Sequence, residues 1–307
     1  MRSFLQMFRE LPRSVKVMLL TAIARSISFF ALLPFLPIYM HDTLGLDMGQ
    51  VGSVLGVCLL VATLTSVYAG YLADRFHKVG LMLVLDAIMT ALYLALPLVH
   101  VPIWMFVMLV VVNTASSSMS VTGNALLSDL LPSEMRSKVF SLRYSLQNIG
   151  AVSGPFLGAW AARSDIRGPF WLAAGVTTFA FVMLVATRRE FQTTTPAARG
   201  EKPLNFAETL GALRADRRLS LFTIGGILSM AVYGPLLTYL SEYLVVVESP
   251  QVAYRMVGYV SATNAIVVIV LQYYVGRLLR EDNLLRWLTW GIAAFALGLF
   301  GLSLTTS

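Results

Sequence analysis

A single cysteine, Cys58, and three histidines are all that the 307 residues offer of the soft metal-binding side chains. Cys58 lies inside an apolar run, and His41, His77 and His100 fall in separate loops. Disulfides within the chain, cysteine-based zinc sites and a His/Cys ligand cluster are therefore excluded. Charge is scarce as well: 13% of the residues are Asp, Glu, Lys or Arg, against about 25% in a water-soluble domain. No acid, base and nucleophile set converges, so neither an enzyme nor a cofactor is expected. The net charge of +7 is spread over many loops and forms no basic stripe, which excludes a nucleic-acid partner and suits anionic lipid headgroups.

Apolar sequence is abundant. The chain is 57% hydrophobic with a mean hydropathy of +0.73. Nine runs approach the ~20 residues that cross a bilayer core as a helix: about 16–40, 49–73, 80–99, 103–127, 140–162, 169–187, 219–241, 256–276 and 287–305. They are too long for strands and lack the alternation of barrel strands, so an all-α membrane protein is predicted. The first run has no small-residue cleavage site and contains Arg25, Pro34 and Pro37, the signature of a retained helix rather than a signal peptide. With the N-terminus inside, all basic residues except Arg25, Arg163, Arg167 and Arg255 fall on cytoplasmic segments, the bias expected for a multi-pass inner (plasma) membrane protein.

The halves of the chain echo one another. "VGSV" at 51–54 matches "VGYV" at 257–260, Gly52 and Gly70 are spaced like Gly258 and Gly276, and Tyr68 corresponds to Tyr274. Between the copies lies the one long polar stretch, 188–218, in which "LNFAETLGAL" reads as a short amphipathic helix on the membrane surface. The predicted organisation is a six-helix bundle over 1–187, a cytoplasmic linker over 188–218 and a partial second bundle over 219–307. Internal repeats of this kind point to a carrier with its substrate between two related bundles. The first copy holds six helices and the second three, so three further helices are expected past Ser307.

Two motifs add detail. The loop after the second run reads "GYLADRFHKVG", and "GAVSGPFLGA" of the fifth run places Gly150, Gly154 and Gly158 four apart around Pro155. Glycines at this spacing give a smooth face for close helix approach, and the proline frees one backbone carbonyl. Together these resemble the Major Facilitator Superfamily, in particular its drug:proton antiporter type. The resemblance implies a gating loop of Gly70, Leu72, Asp74, Arg75 and Lys78, with His77 departing from the usual glycine. It implies that Asp74 meets a helix N-terminus of the second bundle, and that Lys78 meets Asp129. It also implies export of small amphipathic molecules such as drugs, peptides or sugars, in exchange for protons, by a monomer. A nutrient importer and a non-transporting membrane protein remain as alternatives.

The fourth run contains an unusually polar stretch in which Asn113, Ser117, Ser120 and Asn124 share one helical face. That face is expected to look into a substrate cavity, although serines also serve close helix packing. Arg25, nine residues into the first run and so ~13 Å from its start, is too deep to reach the interface easily. It is expected to face the cavity, where it attracts an anionic group of the substrate or pairs with Asp86 of the third run. For the proton, the acids in or near apolar runs are Asp86 and Glu242.

Overall fold

The computed structural model describes residues 8–191, 211, 214–233 and 283–304, with scattered positions between 256 and 275. Every regular element among them is helical. The first apolar run is two helices, α1 (Arg13–Leu32) and α2 (Phe35–Leu44), divided at Pro34. Pro34 caps α2, and Pro37 falls in its first turn, where a missing N–H costs no intrahelical bond. Gly45, at φ +69°, closes α2: its N–H reaches the His41 carbonyl at 3.1 Å, and that of Leu46 reaches Met40 at 3.4 Å.

The start of α3 (Met48–Arg75) is a capping box. Asp47 Oδ1 accepts from the Gln50 N–H at 2.9 Å, and Gln50 Oε1 accepts from the Asp47 N–H at 3.0 Å. The next helix, α4 (Lys78–Ala95), follows after two residues and is capped by His77, whose Nδ1 accepts from the Gly80 N–H at 3.3 Å. Then come α5 (Pro102–Asp129), opened by a proline whose fixed φ suits a first helical turn, α6 (Ser133–Ala161) and α7 (Gly168–Thr187). Of the second half, α8 (Arg217–Tyr233) and α9 (Leu284–Ser303) are described. Most of the 188–218 linker, Glu242, Gly258, Tyr274 and Gly276 lie outside the described residues.

Four helical stretches, Arg13–Leu32, Lys78–Leu98, Pro102–Asp129 and Gly168–Glu190, are long and apolar enough to cross a bilayer, and α3, bent by 44° between Thr65 and Tyr68, is a fifth. The 29-residue α6 is as long but more polar. It begins at Ser133 rather than near 140, so Arg143, counted in the sequence with the cytoplasmic basic residues, stands ten residues inside the helix and is 7% exposed.

Within the first half, α1 packs most extensively on α6 and α7, α4 lies against α7 and α5, and α3 lies along α5. Direct contact between α1 and α5 is slight, and a cavity separates them. The packed side chains are apolar, with Leu19, Met82, Leu109, Leu126 and Phe170 fully or almost fully buried. At one end Tyr39 donates to the Pro97 carbonyl at 3.1 Å and meets the Phe170 ring edge-on at 4.8 Å. At the other, Arg13 pairs with Glu190 at 3.0 Å. Leu59, Leu60, Leu64, Phe179 and Val182 point outward, an apolar exterior that water would penalise and lipid accepts.

Candidate functional site

Small residues decide how α6 meets α1. A Cβ on Gly150 would stand 2.7 Å from Ser26 Cβ, and one on Gly154 would stand 2.7 Å from Phe30 Cβ and 2.9 Å from the Ala31 nitrogen. At Gly158 a Cβ would collide with the Ala31 carbonyl. All three glycines are buried, so backbone packs on backbone along this seam. Ser26 fastens its inner end by donating to the Gln147 carbonyl at 2.6 Å. Pro155 lies within the seam, inside an otherwise continuous helix.

Next to Ser26 in the chain and also lining the cavity, Arg25 forms a two-pronged pair with Asp86 of α4: Nε to Oδ1 at 2.9 Å and Nη2 to Oδ2 at 2.6 Å. Asp86 is completely buried and Arg25 nearly so. Planar guanidinium matches carboxylate in this geometry, which offsets part of the cost of removing both charges from water. Of the two partners expected for Arg25, the described structure contains the carboxylate of Asp86.

A second guanidinium was missed by the sequence reading. Arg143 of α6 donates from Nη1 to Asn124 Oδ1 of α5, while its buried Nε has no hydrogen-bond partner among the described residues. Gly123 leaves room for it, since a Cβ there would lie 3.4 Å from Nη2. The pattern "RYSLQN" carried the signal: Arg143 and Gln147 are four apart and face the same way. Arg25 and Arg143 both line a cavity of about 350 Å³ between α1, α4, α5 and α6. Phe29, Phe30, Met89 and Tyr93 supply apolar wall, and Ser116, Ser120, Gln147 and Asn148 supply polar groups. Arg143, Tyr144 and Gln147 also border an adjoining recess of about 380 Å³ that includes Asn124.

The polar face expected of α5 is therefore divided. Ser120 lines the central cavity and Asn124 the recess, but Ser116 and Gly123 take the places expected of Asn113 and Ser117. The Asn113 side chain donates to its own helix at Leu109, 2.9 Å away. Toward the end where α4 begins, Lys78 Nζ lies 3.0 Å from Asp129 Oδ2, both largely buried. Gly70 and Leu72 are half-buried, whereas Asp74 is exposed and Arg75 bonds Tyr71 within its own helix.

A helical bundle with lipid-compatible walls, a charged central cavity and a paired charge at one end defines a membrane carrier. The chain belongs to the Major Facilitator Superfamily, whose family model matches residues 18–307. It is similar to the uncharacterized MFS-type transporter YdeE of Escherichia coli, at 30% identity over 95% of this chain and 73% of that protein. It is also similar to a Na(+), Li(+), K(+)/H(+) antiporter of Planococcus maritimus, at 28% identity over 49% of this chain and 36% of the relative. In fold it matches a crystal structure of the peptide transporter POT in complex with alafosfalin, with TM-score 0.58, 20% identity and 80% of this chain covered. The chain spans about half, 51%, of that transporter's length. The chain thus belongs to a superfamily whose members are transporters and not enzymes.

Proposed function

We infer that the chain belongs to a proton-coupled exporter of small amphipathic molecules, working as a monomer in the bacterial inner membrane. The observation that carries this reading is the central cavity, whose wall combines aromatic and methionine surface with serines, amides and two guanidiniums. An amphipathic molecule needs both kinds of wall. Exchange for protons is supported by the Gly150–Gly158 motif and by the antiporter among the relatives. Nine spans with the N-terminus cytoplasmic, divided as 1–187, 188–218 and 219–307, accommodate the basic-residue bias.

In this reading the cavity opens alternately to the two sides as the bundles rock. Lys78 and Asp129, with the Gly70–Arg75 segment, form the inner gate, and Asp74 is offered to the second bundle. Asp86 and Glu242 are the candidate proton carriers. For Asp86 to take a proton, the Arg25 pair must loosen, so the proton and the Arg25 guanidinium compete for one carboxylate.

The test uses the full-length protein in sealed proteoliposomes with an acidic lumen. Three aromatic probes of one shape are offered outside: 4-phenylbutyrate, 4-phenylbutyramide and 4-phenylbutylamine. At least one is expected to accumulate beyond protein-free vesicles, and a protonophore should abolish the excess. Folded protein that moves none of the three in response to the gradient overturns proton-coupled export of such molecules.

A further inference from the structure

The described part of the cavity wall holds two guanidiniums, Arg25 and Arg143, and no carboxylate faces it. Behind the wall, Asp86 is taken up by both prongs of Arg25. Arg143 receives only the neutral amide oxygen of Asn124, lies within electrostatic reach of Arg25, and keeps a buried Nε without a partner among the described residues. A cation held in a low-dielectric bundle with one neutral acceptor is costly until an anion or water meets it. The side chain is more than nine-tenths buried and opens onto both the central cavity and the adjoining recess.

We propose that Arg143 is the substrate-recognition residue for an aromatic or branched apolar molecule bearing one anionic head group, a carboxylate or its equivalent. The guanidinium fork takes the head group in place of water, with Asn124 and Gln147 holding the fork and flanking the anion. Phe29, Phe30 and Tyr93 take the apolar body. Arg25 is withdrawn from this role by Asp86, so the two arginines divide the work: one serves the bundle's own carboxylate, the other the cargo's. This rests on the carrier reading above and sharpens its substrate class.

Binding of 4-phenylbutyrate and of its neutral isostere 4-phenylbutyramide to the purified full-length protein, by equilibrium dialysis in detergent, tests the proposal without transport. The anion is expected to bind at least about tenfold more tightly than the amide. That preference should vanish in Arg143→Gln and return in part in Arg143→Lys, which restores the charge without the fork. Equal affinity for anion and amide in the wild type overturns the proposal, because it shows that the head-group charge is not recognised. An undiminished preference in folded Arg143→Gln also overturns it, as does failure of both probes to bind at millimolar concentration. The wild-type comparison needs no variant, so a misfolded Arg143→Gln does not shield the idea. Anion-selective binding without gradient-driven movement would uphold the recognition site and remove the export reading; gradient-driven movement of anion and amide alike would do the reverse.

Discussion

Over its C-terminal half α6 presses Gly150, Gly154 and Gly158 against Ser26, Phe30 and Ala31 of α1, so closely that a Cβ on any of them would clash. Just before that stretch the same helix carries Arg143, Tyr144, Gln147 and Asn148 along a cavity. The first stretch gains close van der Waals contact but has no charge to satisfy. The second gives up packing for groups that need a partner. One helix is thus fastened to its neighbour at one end and held off from the cavity's far wall at the other. The seam fixes the spacing at which the polar half must work.

The contrast can be broken most severely on the polar side. Arg25→Ala strands Asp86 as a buried lone carboxylate, and a loss of about 3–5 kcal/mol is expected, read as a large fall in the aggregation temperature of the purified protein. Arg25→Ala with Asp86→Asn should recover most of it. A single variant as heat-stable as wild type would mean that the pair does not hold α1 to α4.

Next in size is the seam itself. Gly154→Val places carbon against Phe30 and Ala31 and should cost about 1–3 kcal/mol, with Gly154→Ala affected less, both followed by the same thermal assay. Equal behaviour of Val and Gly at this position would show that α6 and α1 stand farther apart than the glycines indicate. Ser26→Ala, which removes the hydrogen bond to Gln147 where the two halves meet, is expected to lose about 1 kcal/mol. The smallest effect is expected from Asp47→Ala, which touches neither half and removes one exposed helix cap, at about 0.5 kcal/mol. A larger loss there than at Ser26 would invert the ranking.

Hydropathy placed the helices well wherever lipid dictates composition, as in α4, α5 and α7. It misjudged α6, because a helix that lines a polar cavity carries charge deep inside and looks like a loop until its seventh residue. Arg143, counted only toward the charge bias, therefore goes unread as a cavity residue. The face of α5 was legible as polar, but periodicity cannot say which flank meets open space and which meets a neighbour. Asn113 turned back to Leu109, while Ser116, one residue from the expected stripe, reached the cavity. Lys78 and Asp129, 51 residues apart, could be connected only through the family's pattern, since no local rule says which side chains meet at the ends of two neighbouring helices.

Cys58, the chain's single thiol, is fully buried in α3, its Sγ 4.0 Å from the Phe106 carbonyl of α5. Site-directed labelling thus begins from a nearly silent background. A maleimide dye or nitroxide will react with whichever cysteine is introduced at an exposed position such as Asp74, while the native sulfur stays sheltered. Pairs of such labels can test the proposed opening of either side without first replacing this sulfur.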